Sequence, residues 1–271
     1  MSLLEETKSI LRRYGIRLRR SAGQHFLINE SIAELEVEAA ELSPGERVLE
    51  VGAGIGNLTK YLLEAGCRVV AVEKDPLLAK VLRERFQGEE LEVVQGDVLR
   101  VRLPEVSKVV ANPPFSISSP LLFMLLRMGL KKGVLLLQRE FAKRIVAEPG
   151  TRDYSRLSVG CRLYADWRIV ARVGRGSFYP PPEVEASVVE FKPRKKMQVD
   201  EEFFLRFAAM LFPYRRKTLR SALRHVLPLL KPGAVPEDVA EAEMLGRRVF
   251  TLTPEEVGRL SERVRGWTSS E

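Results

Sequence analysis

Apolar residues recur along the first two thirds of this 271-residue chain in two alternating patterns. Short, nearly continuous runs rich in valine and leucine are typical of parallel strands that are buried on both faces of a sheet. Between these runs the apolar positions return every three or four residues, which predicts helices. The predicted strands lie in the segments ERVLEVGAG, CRVVAVEKD, LEVVQGDVLRV, KVVANPPF and GVLLLQ. The alternation predicts an α/β domain with helices on both faces of a parallel sheet.

The predicted helices have recognisable ends. NLTKYLLEAG ends at Gly66, which suits a C-terminal cap, and PLLAKVLRERF has Pro76 near its first position. A further helix is predicted over about residues 28–42, and SSPLLFMLL and EFAKRIVA are two more. These helices are long enough to cover the predicted strands.

The later part of the chain has a different pattern. DWRIVARV and ASVVEF predict two strands joined by a proline-rich loop, as an antiparallel pair at the edge of the sheet. The strand pattern breaks at KPRKK, residues 192–196, and from Asp200 onward the spacing is helical. We therefore predict two domains, residues 1–195 and a small all-helical domain of residues 196–271.

The composition is that of a globular protein, with 45% hydrophobic and 30% charged residues. No apolar run approaches the roughly 18 residues of a membrane span, and the start of the chain lacks the apolar core of a signal peptide. These features predict a cytoplasmic protein that does not bind a membrane. Cys67 and Cys161 lack metal-ligand spacing, which favours free thiols and no bound metal. No exposed apolar stripe demands a partner copy, so a monomer is expected.

The net charge is +8, and arginine supplies 31 of the 44 basic residues. The guanidinium fork matches phosphate geometry, so this bias favours a phosphate-rich partner such as nucleic acid. The alternative is a basic protein without such a partner, or one from a hot habitat. Asparagine and glutamine are scarce, which also favours a thermophilic source.

A glycine-rich turn, Gly52-Ala53-Gly54-Ile55-Gly56, closes the first predicted strand. Glycines let a ligand approach the backbone, and ligands of parallel sheets bind at strand ends. A dinucleotide and S-adenosylmethionine both suit this position. The turn reads G-x-G-x-G and lacks the third glycine of the dinucleotide fingerprint at its usual offset, so by itself it leaves both ligands open.

Three carboxylates, Glu50, Glu73 and Asp97, follow three successive strands, so they are expected to converge on one edge of the sheet. Glu73 can accept both ribose hydroxyls of either ligand. Asp97 distinguishes between the two possible ligands. A carboxylate that accepts from an adenine amino group at this position suits S-adenosylmethionine better than it suits a dinucleotide. The alternative interpretation of Asp97 is a helix cap or turn residue.

The segment Asn112-Pro113-Pro114-Phe115 follows the fourth strand as a rigid loop, since two prolines remove backbone donors and restrict φ. An adenine amine is a poor nucleophile because its lone pair is delocalised into the ring. Asn112 Oδ1 and the carbonyl of Pro113 could each accept one of its N–H groups and aim it at a methyl donor. Phe115 could stack on a base taken out of a helix, with Phe178 as the candidate for its other face. A proline-rich turn and a core aromatic are the alternatives.

Several segments, in this order, resemble the small-subunit (16S) rRNA adenine dimethyltransferase family over essentially the whole chain. They are GQHFL, EVGAGIGNLT, VEKD, QGDVL, ANPPFSISSP, LLLQREFAKRIVAEPGTRDYSRLSV, FYPPPEVEASVV and LFPYRRKTLRSAL. The resemblance implies a seven-stranded Rossmann-like methyltransferase sheet with a small helical C-terminal domain. It also implies dimethylation of two adjacent adenosines near the 3′ end of small-subunit rRNA, in the subunit or its precursor, with S-adenosylmethionine as methyl donor.

The resemblance assigns roles to individual residues of this chain. It implies that His25 and Leu27 line the methionine end of the cofactor, and that the backbone of the turn contacts it at Gly52 and Gly54. Glu73 would hold the ribose, Asp97 the adenine, and Asn112 would lie between cofactor and target amine. One departure is Pro113, where the family usually has leucine or isoleucine. NPPF is also the form found in DNA adenine and other exocyclic-amine methyltransferases, and Phe115 replaces the commoner tyrosine while keeping a stacking face.

Basic residues are dense in the C-terminal stretch LFPYRRKTLRSALRH. With an rRNA substrate, they are predicted to contact phosphates, and on a continuous helix Arg216, Arg220 and Arg224 would share one face. The predicted RNA-binding residues are Arg215, Arg216, Lys217, Arg220 and Arg224. The basic N-terminal arm, Arg12 to Arg20, is a second candidate RNA surface.

Three other functions compete with this interpretation. One is a related antibiotic-resistance methyltransferase that acts on large-subunit rRNA. The RRKTL segment and the full-length match favour the small-subunit family over this alternative. Another is a ribosome-assembly or transcription factor that keeps the fold without turnover, against which the intact Gly52, Glu73, Asp97 and Asn112 argue. A dehydrogenase is a distant third.

Overall fold

The computed structural model describes residues 1–18, 24–194 and 197–268. The parts of the predictions that involve Arg19, Arg20, Gly23, Lys195, Lys196 and residues 269–271 fall outside the described residues. The strands are β1 (Phe26–Leu27), β2 (Arg47–Val51), β3 (Arg68–Glu73), β4 (Leu91–Gln95), β5 (Lys108–Ala111), β6 (Lys132–Gln138), β7 (Ala165–Val173), β8 (Phe178–Tyr179) and β9 (Ala186–Pro193). The helices are α1 (Leu3–Arg13), α2 (Glu30–Ala39), α3 (Asn57–Glu64), α4 (Pro76–Arg85), α5 (Ser118–Arg127), α6 (Arg139–Val146), α7 (Arg156–Arg162), α8 (Glu201–Leu211), α9 (Leu219–Val226), α10 (Ala242–Gly246) and α11 (Pro254–Thr268).

Within the described residues, seven strands form one sheet in the order β4-β3-β2-β5-β6-β9-β7. The five strands predicted from apolar runs are β2 to β6; they pair in parallel, and β9 runs antiparallel to β6. The two later strands, β7 and β9, are neighbours at one edge of the sheet, as predicted. The predicted seven-stranded α/β fold with a helical C-terminal region is confirmed.

The local signals for helix ends are also confirmed. Gly66 follows α3 with a φ of 78°, the left-handed conformation in which glycine avoids the strain that a Cβ would bring. Asp75 caps α4 by accepting from the backbone N–H of Leu77 at 2.9 Å, and Pro76 is the first residue of that helix. The N-terminal end of α4 is thereby held at the edge of the sheet where β3 ends.

The N-terminal segment contains α1, a helix that was not predicted because we interpreted the segment only as a basic arm. Ser2 and Glu5 form a capping box: Glu5 N–H donates to Ser2 Oγ at 3.3 Å, and Ser2 N–H donates to the Glu5 carboxylate at 2.9 Å. The sequence S-L-L-E was the signal for it. Leu3 and Leu11 are buried on one face of this helix, whereas Arg12 and Arg13 are exposed.

Contacts divide the chain into two units. One comprises Met1–Ala142 with Trp167–Pro193, and the other comprises Lys143–Asp166 with Arg194–Glu271. The second unit therefore includes a segment that we predicted in the first domain. In that unit Tyr154, fully buried, donates its hydroxyl to the carbonyl of Leu252 at 2.8 Å. The assignment of methyl transfer to one domain and RNA binding to the other stays a prediction.

Close packing between β6 and β9 requires a glycine at position 133. Gly133 lies opposite Phe191 in the antiparallel ladder, and a Cβ at this glycine would lie 2.0 Å from the Phe191 ring. The ring cannot simply move away, since it is itself buried and its centroid lies 4.9 Å from that of Trp167.

We expect Gly133→Val to destabilise the sheet, because overpacking a close-packed core typically costs about 1–3 kcal/mol. The thermal midpoint should fall by about 2–4 °C for each kcal/mol in a protein of this size. The matched control is Gly174→Ala, since a Cβ at Gly174 would meet no atom within 4 Å. An unchanged midpoint for Gly133→Val would contradict the packing described here.

Candidate active site

The predicted site residues meet at one edge of the sheet. Strands β4, β3, β2 and β5 are consecutive neighbours and run parallel, so their carboxyl ends lie at the same edge. The four strands end at or just before Asp97, Glu73, Gly52 and Asn112, respectively. This confirms that the residues after successive strands converge.

The glycine turn lies directly against the proline loop. Gly52 has a φ of 72°, and a Cβ placed on it would lie 3.0 Å from Pro114 Cδ and 3.6 Å from the Asn112 carbonyl oxygen. Gly54 has a φ of 62°, and its Cβ would lie 2.8 Å from the ring of Phe26. Both positions therefore need glycine for conformation and for space, and Gly52 brings the turn beside Asn112.

Glu73 holds the glycine turn through its carboxylate. Oε2 accepts the backbone N–H of Gly54 at 2.9 Å, and Oε1 accepts that of Asp75 at 2.8 Å. The side chain is 7% exposed, and burial raises its pKa above the ordinary value for glutamate. Each carboxylate oxygen has a second lone pair, so the two oxygens can still accept hydroxyl groups from a ligand.

Asp97 is a turn residue whose carboxylate also stays partly exposed, and its predicted contact with adenine stays a prediction. Its Oδ1 accepts the N–H of Leu99 at 3.1 Å, as a turn residue does, and its Oδ2 lies 3.1 Å from Lys74 Nζ. The hydrogen bond from Leu99 and then the one from Lys74 hold the pKa of Asp97 below its usual value. The carboxylate is 27% exposed and ionised, so it is available to an amino group.

Asn112 is held by one end of its amide. Its Nδ2 donates to Oε2 of Glu36, in α2, at 3.1 Å. Its Oδ1 is buried and has no hydrogen-bond partner among the described residues. Most buried polar atoms are paired, so an unpaired acceptor at the edge of the sheet where ligands bind makes Asn112 Oδ1 a candidate for contact with a ligand.

Two buried glutamates lie behind the site. Glu50 and Glu36 are 1% and 0% exposed, and Glu50 accepts from the hydroxyl of Thr59 at 2.6 Å. Burial raises the pKa of each carboxyl to about 8, and each is raised further by a neighbouring carboxyl. Both side chains are therefore harder to ionise than an ordinary glutamate. Glu50 thus binds Thr59 of α3 inside the core and is not available to a ligand at the surface.

His25 and Leu27 lie where the chain enters the sheet domain. His25 Nδ1 lies 2.8 Å from the Pro180 carbonyl oxygen, so Nδ1 carries the proton and donates it in this hydrogen bond. Leu27 is buried, and its carbonyl accepts from Asn57 Nδ2 at 2.8 Å, which ties it to the start of α3. No geometry here tests the predicted contact with a cofactor, which stays a prediction for both residues.

The two candidate stacking rings differ in exposure. Phe115 lies in a turn of 3₁₀ helix after Pro113 and Pro114, half-buried against the core. Phe178 is 4% exposed within the same core cluster, opposite Leu27 in the β1–β8 ladder. Its role on the second face of a base stays a prediction, and that role requires the ring to become uncovered.

The predicted basic face is only partly formed. Helix α9 begins at Leu219 with Thr218 as its cap, so Arg216 lies outside the helix and shares no helical face with Arg220 and Arg224. That prediction was wrong because the threonine, which accepts from the Ser221 N–H, stops the helix from extending toward Arg216. Arg216, Lys217 and Arg224 are nevertheless exposed.

Two of the five basic residues already use their charge on oxygen acceptors within their own unit, and a third contacts a histidine ring. Arg215 donates to the backbone carbonyls of Arg152 and Tyr154, and Arg220 forms an ion pair with Glu237. Lys217 Nζ lies 3.2 Å from His225 Nε2, beside the stacked Tyr214 and His225 rings. The RNA-binding prediction consequently rests on Arg216, Lys217 and Arg224.

Among residues 1–18, 24–194 and 197–268, no cluster of three or more histidine, cysteine or acidic side chains could hold a metal ion. The helices in the same ranges are too short or too polar to cross a bilayer.

The sequence interpretation missed Glu36 and Thr59. Glu36 stands in a helix that also carries the exposed Glu34 and Glu38, so nothing in the local pattern marks it as buried. Thr59 lies inside EVGAGIGNLT and looks like an ordinary helix residue. Both acquire their partners only when α2 and α3 pack against the sheet.

Comparisons with known proteins match most of the chain. A family model described as "Ribosomal RNA adenine dimethylase" matches residues 15–244. A protein of Methanosarcina mazei named "Probable ribosomal RNA small subunit methyltransferase A" is 45% identical, with 95% of this chain and 96% of that protein covered. A protein of the same name from Methanothermobacter thermautotrophicus is 41% identical, with 99% and 98% covered.

Two solved structures are similar in both fold and sequence. A dimethyladenosine transferase from Plasmodium falciparum has a TM-score of 0.79 and 30% identity, with 87% of this chain and 96% of that chain covered. The 23S rRNA methyltransferase ErmE has a TM-score of 0.68 and 29% identity, with 89% and 99% covered.

Proposed function

Because this chain belongs to the ribosomal RNA adenine dimethylase family, we propose that it dimethylates two adjacent adenosines near the 3′ end of small-subunit rRNA, using S-adenosylmethionine. The methyl acceptors are the exocyclic amines, and the substrate is the small subunit or its precursor. The observation that carries this proposal is the buried, unpartnered Oδ1 of Asn112 beside the glycine turn at Gly52.

The residues at the edge of the sheet suit S-adenosylmethionine, which when bound supplies an activated methyl group on a sulfonium. Gly52 has a positive φ and packs closely against Pro114, which together hold the backbone of the turn at the edge where the cofactor would bind. The Glu73 carboxylate has lone pairs left for ribose hydroxyls. The ionised, part-exposed Asp97 suits an adenine amino group. His25 and Leu27 are the candidates for the methionine end.

Asn112 and Pro113 would orient the target amine. An N–H donated to Asn112 Oδ1 and another donated to the Pro113 carbonyl would draw the nitrogen lone pair out of conjugation with the ring. The lone pair would then point along the direction of methyl transfer. Because the donor is already activated, positioning and oriented dipoles supply the rate gain and no strong base is required. Phe115, partly exposed next to these residues, suits stacking on the flipped base.

The names of similar proteins favour the small ribosomal subunit over the large one. Proteins 41% and 45% identical to this chain are named small subunit methyltransferases, whereas ErmE, named for 23S rRNA, is 29% identical. A large-subunit substrate is accordingly the second candidate. The intact site argues against a protein that only binds RNA.

The experiment that tests this function is transfer of labelled methyl groups from S-adenosylmethionine to unmethylated small subunits, followed by mapping of the modified nucleotides. Dimethylation of two neighbouring adenosines near the 3′ end is the expected result. Modified nucleotides in the large subunit would overturn the substrate assignment, and monomethylation alone would indicate that Pro113 narrows the pocket. Tight binding without transfer would make the protein an assembly factor.

We expect rRNA binding to weaken with salt, and part of this dependence to come from the three exposed basic residues of the second unit. Each phosphate contact contributes about 0.7–0.9 to the slope of log K against log salt concentration. Replacing Arg216, Lys217 and Arg224 together by glutamine should therefore reduce the slope by about 2, as measured by filter binding at several salt concentrations. Arg206→Gln with Arg259→Gln, also exposed, is the control. An unchanged slope in the triple variant would place the RNA elsewhere.

A further inference from the structure

Glu36 is a buried acid on a helix whose other acidic neighbours face water. Glu34 and Glu38 of α2 are exposed, whereas Glu36 is 0% exposed. Its Oε2 accepts the Nδ2–H of Asn112 at 3.1 Å. Its Oε1 is buried and has no hydrogen-bond partner among the described residues. The link to Asn112 is thus the one hydrogen bond that the structure gives to this carboxyl.

A buried carboxyl with a single hydrogen bond is costly for the fold. Burying a polar group without full hydrogen bonding is unfavourable, and a well-packed apolar residue of similar volume is often as stable or more so. Glu36 also lies close enough to Glu50 for the two carboxyls to disfavour each other's charge. Packing therefore does not account for an acid at this position. A role that Glu36 exerts through Asn112, its one hydrogen-bond partner, does account for it.

The bond to Glu36 determines what Asn112 can offer. An amide has a donor end and an acceptor end, and here the donor end is engaged while Oδ1 is left without a partner. The proposed reaction needs an acceptor at this point, because the target amine brings only N–H donors. If the amide were turned over, it would present its own N–H groups to the amine and repel it.

We propose that Glu36 is a positioning residue for the methyl-transfer step: by accepting the Nδ2–H of Asn112, it keeps the Oδ1 of that amide available as the acceptor for the target amine. The inference rests on the proposed function. It assigns to α2 a part in catalysis without any contact with substrate or cofactor.

The test compares Glu36→Leu, Glu36→Gln and the matched control Glu38→Leu. The leucine variant lacks an acceptor and should lower kcat by about 10²-fold, the cost of a misplaced catalytic group, while KM for small subunits and Kd for S-adenosylmethionine stay within about twofold. The glutamine variant keeps a neutral acceptor of the same shape and should retain kcat within a few-fold. The control should match the wild-type protein, since Glu38 is exposed on the same helix.

A second readout does not depend on turnover. The side-chain amide of Asn112, assigned in a ¹⁵N–¹H spectrum by its absence from an Asn112→Ala sample, should shift in Glu36→Leu and remain in place in Glu36→Gln and Glu38→Leu. Thermal unfolding of each variant shows whether it is folded. If Glu36→Leu does not fold, Glu36→Met replaces it as a more adaptable apolar variant.

Two results would overturn the inference. One is wild-type kcat in the folded leucine variant, and the other is an unmoved Asn112 amide signal in that variant. An equal fall in kcat for the leucine and glutamine variants, with loss of thermal stability in both, would make Glu36 structural. Failure of the wild-type protein to methylate small subunits would defeat the proposed function instead, and the amide signal would still decide whether Glu36 holds Asn112.

Discussion

Replacing Asn112 by alanine is expected to lower kcat for methyl transfer by about 10³-fold, because loss of one oriented polar group typically costs about 10²–10³ and Asn112 also places the amine. The alanine variant has no acceptor at the position of Oδ1, which is the unpartnered atom of the site. rRNA affinity should remain nearly unchanged, since basic residues elsewhere supply most of the binding. Single-turnover rates with saturating S-adenosylmethionine measure the effect directly.

The control for Asn112→Ala is Ser116→Ala, because Ser116 lies in the same loop and is exposed. That variant should retain wild-type rates. The fold should tolerate the loss of Asn112, because one hydrogen bond contributes about 1 kcal/mol. If Asn112→Ala lost rRNA affinity and activity to the same extent, the asparagine would be structural, and the mechanism proposed for it would be wrong.

The second large effect is expected for Glu73→Ala, which should weaken S-adenosylmethionine binding by about 10²-fold or more. Hydrogen bonds to a charged group contribute about 1.5–3 kcal/mol each, and the proposed site uses Glu73 for two ribose hydroxyls. The alanine also releases the N–H groups of Gly54 and Asp75, so the glycine turn loses its anchor. Calorimetric titration with S-adenosylmethionine gives the affinity.

Two comparisons sharpen the test of Glu73. Glu73→Gln keeps one acceptor and should bind more tightly than the alanine variant, while Glu89→Ala, exposed beyond α4, should bind as the wild-type protein does. Because burial raises the pKa of Glu73, its carboxylate becomes protonated at a higher pH than an ordinary glutamate. Affinity should therefore fall as the pH is lowered, and less so in the glutamine variant. Unchanged affinity in Glu73→Ala would exclude this residue from the cofactor site.

Much of the fold follows from local patterns. Strands β2 to β6 are runs of apolar β-branched and leucine residues, and the ends of α3 and α4 are marked by Gly66 and Asp75. Such signals act between residues close in sequence, so they can be interpreted one segment at a time. The capping box of α1 is equally local and was overlooked because the following arginines suggested an extended arm.

The carboxyl ends of neighbouring parallel strands lie at one edge of a sheet. The placement of Gly52, Glu73, Asp97 and Asn112 at that edge was therefore predictable once the strands were assigned. The wrong prediction that Arg216 shares a helical face with Arg220 and Arg224 also has a local cause. Three basic residues at spacing four suggest one helical face, but the Thr218 cap begins the helix after Arg216. Helix boundaries depend on such competition between capping and continuation, which spacing alone does not reveal.

The alternation of strand and helix patterns determined by itself that this is an α/β protein, and the order of its motifs carried the resemblance to rRNA adenine dimethyltransferases. Only the tertiary structure decided the surroundings of each carboxyl: Glu73 accepts from the backbone of the glycine turn, whereas Glu50 and Glu36 are enclosed in the core with raised pKa values. Asn112 and Glu36 are 76 residues apart in sequence and meet because α2 packs against the sheet. A hydrogen bond across that separation leaves no periodic pattern along the chain, so the contact between Glu36 and the Asn112 amide is visible only in the folded protein.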